Sequence, residues 1–303
     1  MKRAGGVVAA LFLGWASIGT VGADTIPRWW EYKDFSWKSP DPTVFFKYWK
    51  YDPASSTYKS VDLTAHNSVC FLTKIWGGFY GNLQEVYLST NPDRQSIHQD
   101  PVNDIWFLHG MFPPGEGGAT ARCVLLDAFS AYRKNPSGLM WGKTGAEAVG
   151  WSSSWRWLWW ADAISALHGV RGEFSGFGEQ AGVRPQSDSN PNNPTHVAFA
   201  VFAQSQLPSN QYVDAWGRSI YLGSPIRYTG RYSLNTSSAA SVPMGYADEQ
   251  FCYLAAMRGK FRGGAEWIRV GLVWEASTSR YRWSLDAHTQ QTSIGADAEC
   301  IAY

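Results

Sequence analysis

Charged residues are scarce in this sequence, and the two signs nearly cancel. Only 17% of the 303 residues are charged, with 26 basic and 25 acidic side chains. A protein that binds the phosphate backbone of a nucleic acid needs a strongly basic face. The composition therefore argues against a nucleic-acid partner, and the absence of a run of like charges argues against a membrane-surface patch.

Long apolar segments are also absent. The stretch 7–14 is far shorter than the roughly 20 apolar residues that cross a bilayer. It follows Lys2 and Arg3 and precedes the small residues 21–23, which is the pattern of a secretory signal peptide. We expect residues 1–23 to be removed as a signal peptide. The mature chain would then have no membrane span, and the protein would be secreted or periplasmic.

The familiar signatures of catalysis and cofactor binding are missing. The sequence has no Gly-x-Ser-x-Gly elbow, no His-Glu-x-x-His pair and no phosphate-binding glycine loop. Its four cysteines do not form a Cys-x-x-Cys zinc spacing. We therefore expect no metal, no cofactor and no catalytic residue, and the sequence favours a non-catalytic protein over an enzyme.

Tryptophan and glycine, in contrast, are abundant, with 17 and 30 residues respectively. Aromatic side chains suit the half-buried faces of β-sheets, and glycine and proline mark the turns between strands. No long stretch has apolar residues at the 3.6-residue period of an amphipathic helix. The composition thus predicts a mostly β protein.

A pattern of cysteine, glycine and phenylalanine occurs twice at identical spacing. It begins at Cys70 and again at Cys252, and in both copies a Gly-x-Phe-x-Gly segment begins seven residues later. The second half of each copy contains Trp-x-Leu, at Trp106 and Trp283, and ends in Ala-x-Cys. The distance from the tryptophan to the closing cysteine is 17 residues in both. So many matches indicate an internal repeat.

Each copy is framed by its own two cysteines, and this framing predicts how the four cysteines pair. Four cysteines allow three pairings. Equivalent copies should close in equivalent ways, so we expect the disulfides Cys70–Cys123 and Cys252–Cys300. Disulfides form in oxidising compartments, which agrees with the presence of a signal peptide.

A third, degenerate copy lies between the other two. Ser165 takes the place of the first cysteine, and a Gly-x-Phe-x-Gly segment follows at 172–176. Its second half is matched by Tyr232-Ser-Leu, followed by Glu249 at the position of the closing cysteine. Both cysteines are then missing together, as expected if they form a pair.

These matches predict antiparallel meander modules, two of them disulfide-closed and one degenerate, packed into one compact assembly. In the two intact modules the first strands are expected at Cys70–Trp76 and Cys252–Arg258. The predicted segments are a signal peptide (1–23), an aromatic-rich N-terminal segment (24–69), a disulfide-closed β module (70–123), a connector with a tryptophan cluster (124–164), a degenerate central β module (165–249) and a second disulfide-closed β module (252–303).

Two sets of residues are candidates for function. A glutamate follows the glycine-rich segment in every copy; we interpret it as a residue of the module's own architecture, with one binding site per module as the alternative. These glutamates are Glu85, Glu179 and Glu266. The second set is a run of tryptophans with a partial period of two, which projects rings from one face of a strand. They are Trp151, Trp155, Trp157, Trp159 and Trp160.

Export, disulfide-framed repeats and excess tryptophan together predict a secreted binding protein. Indole rings stack on the C–H face of a sugar while polar neighbours bind its hydroxyl groups. We therefore expect a lectin-like protein that recognises a glycan or a cell-surface protein. One alternative is a secreted hydrolase of polysaccharide or peptidoglycan, with a carboxylate pair such as Asp162 and Glu179. Another is a structural or assembly protein of an envelope or surface appendage.

Overall fold

The structure is a computed structural model of the chain. It describes residues 32–42, 44–45, 47–52, 57–63, 68–89, 105–125, 154–158, 163–176, 178–187, 197–205, 213–221, 228–291 and 293–302. In these ranges the regular structure consists of β-strands, with no helix. The predicted mostly β fold is confirmed.

Nineteen strands are present in the described ranges, and all of their pairings are antiparallel. In chain order they are β1 (Tyr32–Lys38), β2 (Val44–Phe45), β3 (Lys47–Asp52), β4 (Thr57–Asp62), β5 (Ser68–Gly77), β6 (Tyr80–Ser89), β7 (Phe107–Met111), β8 (Gly117–Leu125), β9 (Ser154–Leu158), β10 (Ala163–Glu173), β11 (Gln180–Ser187), β12 (Val197–Gln204), β13 (Val213–Tyr221), β14 (Tyr228–Thr236), β15 (Ala239–Tyr246), β16 (Gln250–Gly259), β17 (Trp267–Glu275), β18 (Arg280–His288) and β19 (Ile294–Ala302).

The strands form three large sheets and a two-stranded ribbon, β3-β4. Sheet I has the order β1-β8-β5-β17-β18-β15, sheet II the order β13-β10-β6-β7-β2, and sheet III the order β14-β19-β16-β11-β12-β9. One face of sheet I is buried, with Ile75, Ile268 and Ala287 fully covered. These residues belong to one hydrophobic cluster that also contains Val170 of sheet II and Leu254 of sheet III. The three sheets therefore share a core.

The strands of one cysteine-framed segment are divided between two sheets, which differs from the predicted meander. In the first segment β5 pairs with β8 in sheet I, whereas β6 pairs with β7 in sheet II. The neighbours on the other side come from other segments: β5 pairs with β17, β10 with β6, and β16 with β11. The chain changes sheet at glycines with positive φ, a conformation that other residues resist. These glycines are Gly77, Gly172 and Gly259.

Three phenylalanines connect these crossings in a closed ring. The backbone N–H of Phe79 donates to the carbonyl of Phe261 (2.7 Å), that of Phe261 to Phe174 (2.8 Å), and that of Phe174 back to Phe79 (2.7 Å). Their buried side chains contact one another edge to face, with centroids between 5.6 and 6.2 Å apart. The three Gly-x-Phe-x-Gly segments thus meet in a cyclic, threefold arrangement.

Both predicted disulfides are confirmed. Cys70 bonds to Cys123 across β5 and β8, and Cys252 bonds to Cys300 across β16 and β19. In each pair the two residues are direct register partners, with Cα atoms 4.0 and 4.1 Å apart. Loops of this length stabilise a fold by about 4 kcal/mol in the chain-entropy model. Such bonds are typical of proteins that fold in an oxidising environment.

A pair of serines occupies the corresponding register position in the central segment. Ser165 on β10 lies opposite Ser219 on β13, and the register shifts after Leu167, just as it shifts two residues after each first cysteine. The position opposite Ser165 is therefore held by Ser219 and not by Glu249. The segment that begins at Tyr232 lies elsewhere, since β14 and β15 pair with β19 and β18.

Each disulfide-closed segment is preceded by two additional strands that pair with it: β1 and β2 come before the first, and β14 and β15 come before the last. β1 pairs with β8 and β2 with β7, and in the same way β14 pairs with β19 and β15 with β18. This pairing groups 32–45 with 70–123 and 228–246 with 252–302. The domain boundaries stay a prediction. Within the described ranges, no helix is long and apolar enough to cross a membrane.

Candidate ligand-binding face

The position after the glycine-rich segment holds glutamate in two segments and glutamine in the third. The backbone carbonyls of Glu266 and Glu179 each accept an N–H at 3.0 Å from the first glycine of a neighbouring Gly-x-Phe-x-Gly segment. Glu85 does not occupy this position, because it lies opposite Arg171, and Gln84 therefore faces the corresponding glycine. The three equivalent residues are Gln84, Glu179 and Glu266, and no one-residue displacement is needed.

These side chains turn back towards their own loops. A Cβ atom on the glycine three residues earlier would lie 2.8, 3.1 and 2.9 Å from a side-chain oxygen of Gln84, Glu179 and Glu266. Glu179 and Glu266 are also buried, with 2% and 1% exposure. Their placement supports an architectural role. Within the described ranges, no group of three or more His, Cys, Asp or Glu residues is arranged to hold a metal ion.

The predicted tryptophan cluster lies mostly beyond the described residues. Trp151, Trp159 and Trp160 are outside them, and for Trp155 and Trp157 only the backbone is described. Both belong to β9, the edge strand of sheet III next to β12. A binding role for this cluster stays a prediction.

Three other tryptophans are core residues. Trp37, Trp106 and Trp283 are at most 2% exposed, and each indole N–H donates to a backbone carbonyl. Trp106 donates to Ser68 and Trp283 to Gln250, in each case two residues before the first cysteine of the same segment. A buried N–H is costly unless it is hydrogen-bonded. The recurring Trp-x-Leu motif is therefore explained by packing.

Two further tryptophans lie side by side on the opposite, solvent-facing surface of sheet I. Trp76 on β5 is the direct register partner of Trp267 on β17, and both are partly exposed. Trp76 lies across Gly118 of β8, where a Cβ atom would be only 2.2 Å from the indole ring. Neither indole N–H has a hydrogen-bond acceptor among the residues that the structure describes. Both donors are thus available to a ligand.

Cations lie above these rings. The Nζ atom of Lys74 is 5.0 Å from the ring centroid of Trp76 and 5.5 Å from that of Trp267, and Cζ of Arg269 is 5.5 Å from Trp267. The His288 ring stacks on Trp267, with centroids 5.9 Å apart and planes 9° from parallel. Partial burial and the nearby Arg269 lower the pKa of Lys74. We call these five residues the Trp76–Trp267 face.

Asp286 fixes the position of Arg269. The Nε and Nη2 atoms of Arg269 donate to Oδ2 of Asp286 at 3.1 and 2.6 Å, and the hydroxyls of Ser241 and Ser284 donate to Oδ1 at 2.7 and 2.5 Å. Burial acts to raise the pKa of Asp286, but these hydrogen bonds and the Arg269 charge outweigh it and lower the pKa. The carboxylate therefore stays ionised and holds the guanidinium against the sheet.

The other two sheets carry different chemistry at the equivalent positions. The residues that correspond to the pair Trp76 and Trp267 are Arg171 and Glu85 in sheet II, and Arg258 and Gln180 in sheet III. Each of these arginines has an acidic partner, Asp214 and Asp297 respectively. Among the described residues at these positions, paired aromatic rings beneath cations occur on sheet I alone.

The sequence alone does not identify Trp76 and Trp267 as candidate binding residues. A usable signal exists, because Lys74-x-Trp76 and Trp267-x-Arg269 each place two residues on one strand face. The two strands belong to opposite ends of the chain, however, and only the cyclic topology makes them neighbours. Of the two carboxylates of the alternative hydrolase, Glu179 is buried, and Asp162 lies outside the described residues.

Comparison of the chain with protein-family models, curated proteins and solved structures gave no significant match. The class is therefore defined by the fold and the face themselves. It is a mostly β, disulfide-bonded protein in which three antiparallel sheets share a core. One of these sheets presents a tryptophan pair covered by cations.

Proposed function

We propose that this protein is a secreted, non-catalytic binding protein that recognises a glycan through the Trp76–Trp267 face. The observation that carries the proposal is the pair of neighbouring, partly exposed indole rings with unused N–H donors. Such rings stack on the apolar face of a sugar, while N–H and cationic groups bind its hydroxyl oxygens.

The expected export of the chain supports the same proposal. Residues 1–23 have the pattern of a signal peptide, and two disulfides fit an oxidising compartment. A glycan of a cell surface or its surroundings is the ligand that a protein in this location meets. Trp151, Trp155, Trp157, Trp159 and Trp160 are a second candidate surface for the same ligand class.

Substitution of the two tryptophans tests the proposal. Glycan-array screening of the native protein identifies a ligand, and calorimetry then compares Trp76→Ala and Trp267→Ala with the native chain. Each variant should bind the ligand about tenfold more weakly, since it loses a stacking surface. Trp274→Ala is the matched control, because Trp274 is 52% exposed and lies on the other face of β17. No glycan bound, or no loss on substitution of either ring, would refute the proposal.

A further inference from the structure

Among the described residues, acidic side chains balance only part of the positive charge on the Trp76–Trp267 face. Lys74 has no carboxylate partner in the described part of the chain. Lys38, which is exposed, extends the same row of the sheet, because it lies opposite Gly118, which in turn lies opposite Trp76. Arg269 is neutralised by Asp286. Within the described ranges, two positive charges, those of Lys38 and Lys74, remain around the tryptophan pair, although the chain as a whole is nearly neutral.

The arrangement of donors favours an anion close to the rings. Asp286 accepts hydrogen bonds from Nε and Nη2 of Arg269, whereas Nη1 of Arg269 has no acceptor among the described residues. The Nζ atom of Lys74 lies within 5.5 Å of both ring centroids. An acidic group on a sugar bound at the tryptophan pair would therefore meet two donors. Burial partly desolvates the Lys74 donor, and there a charged hydrogen bond is stronger than in water.

On the basis of the proposed function, we infer that the glycan is acidic. Its carboxylate or sulfate group binds Nζ of Lys74 and Nη1 of Arg269, and its sugar ring packs against the exposed parts of Trp76 and Trp267. Single-stranded nucleic acids also bind to aromatic rings flanked by cations. The nearly neutral chain and the disulfides of an oxidising compartment favour the acidic saccharide.

Matched saccharides test the acidic group directly. The probes are an oligogalacturonate hexamer, the same hexamer with its carboxyl groups reduced to alcohols, a sulfated chondroitin hexasaccharide and a ten-residue oligothymidylate. Calorimetry in 50 mM NaCl should give an affinity for at least one acidic saccharide about tenfold above that for the reduced hexamer. This advantage should shrink in 500 mM NaCl, because salt screens exposed charges.

A lysine variant assigns the effect to the face. Lys74→Gln should weaken binding of the acidic saccharide about tenfold and leave binding of the neutral hexamer unchanged. Lys260→Gln is the control and should change neither affinity. Lys260 directly follows β16, at the far end of the loop that leads to Trp267 on β17. Trp267→Ala should weaken both, because it removes one of the two indole rings that the sugar contacts.

The outcomes separate the two proposals. If neither acidic saccharide binds more tightly than the reduced hexamer, the acidic inference is overturned and glycan binding is left intact. Binding to neutral glycans alone on the array would also overturn the acidic inference. No binding to any saccharide refutes the proposed function itself, and tighter binding of the oligothymidylate than of every saccharide overturns both. Comparison of the uronate and sulfate probes identifies the acidic group.

Discussion

The residue before the closing cysteine has opposite charge in the two disulfide-closed segments, Arg122 in the first and Glu299 in the last. Each faces an opposite charge across the sheet, Asp34 for Arg122 and Arg231 for Glu299. Arg122 approaches Asp34 to 2.5 Å, but Arg231 stays 3.7 Å from Glu299 because it binds Asp297 at 2.7 Å. Glu299 is 1% exposed, and burial raises its pKa to about 8, although Arg231 acts against this.

This raised pKa predicts that stability falls with increasing pH. The unfolded chain releases the Glu299 proton near pH 4.3, whereas the native state keeps it until about pH 8. The native state thus binds the extra proton in this window, and the free energy of unfolding decreases from about pH 4 to about pH 8, then levels off. Glu299→Gln should remove this decrease and be more stable than the native chain by about 1–3 kcal/mol at pH 9.

Urea denaturation at pH 4, 6 and 9 measures this effect. The two proteins should have similar stability at pH 4, where Glu299 is protonated in the native state and mostly protonated in the unfolded state. Glu249→Gln controls for the loss of one carboxylate, because Glu249 is exposed. An identical pH dependence in Glu299→Gln and the native chain would contradict the assignment.

At the scale of single elements, the sequence predicts where strands occur better than it predicts which strands pair. β5 and β16 contain the predicted strands that begin at Cys70 and Cys252, because cysteine spacing and β-rich composition are local signals. The meander is predicted because each copy reads as the same succession of short strands with a glycine-rich turn after the first. Pairing of β5 with β17 depends instead on how three distant segments close around Phe79, Phe174 and Phe261, and no local pattern encodes that closure.

The candidate site was less accessible to sequence reasoning for the same reason. Each half of the Trp76–Trp267 pair is an unremarkable strand residue until the two strands are known to be adjacent. Matching by residue type also misplaced Glu85, since the residue that shares the position of Glu179 and Glu266 is Gln84. Backbone register identifies equivalent positions even where the side chain has changed.

Glycines at the strand crossings provide a test of this topology. Gly259 has φ of +98°, and a Cβ atom there would lie 2.6 Å from the carbonyl oxygen of Ser293. Gly115 has φ of +81° but no atom within 4 Å of a Cβ. Gly115→Ala should therefore cost about 1 kcal/mol from backbone conformation alone, and Gly259→Ala at least about 3 kcal/mol from conformation and collision together. Urea denaturation compares the two, and equal losses would argue against a close crossing at Gly259.

At the scale of the whole molecule, the phenylalanine ring couples the three segments. Phe261 is fully buried and contacts both Phe79 and Phe174. Phe261→Ala should lower the free energy of unfolding by about 3–5 kcal/mol, and Phe261→Leu should lower it less, because it keeps more of the buried volume. Thermal unfolding followed by near-UV circular dichroism detects the loss. A cost below about 1 kcal/mol for the alanine variant would mean that the ring does not hold the segments together.

The two serines of the central segment offer the strongest test of the threefold arrangement. Ser165 and Ser219 are register partners at the position where the other segments have disulfides. The double variant Ser165→Cys/Ser219→Cys should therefore form a third disulfide and become more stable by about 2–4 kcal/mol. Its loop would match the existing ones in length, because the partners are separated by 54 positions in the sequence, against 53 and 48 for the two native disulfides.

Thiol titration and peptide mapping without reduction measure the outcome. After oxidative refolding the double variant should contain no free thiol and should give a peptide that joins positions 165 and 219. The single variant Ser165→Cys is the control, since it should keep one free thiol and gain no stability. Two free thiols beside intact Cys70–Cys123 and Cys252–Cys300 bonds would show that the two positions do not face each other. β10 and β13 are the strands of the central segment that correspond to the two disulfide-linked strand pairs. That result would therefore show that the central segment, which has no disulfide, is not equivalent to the other two.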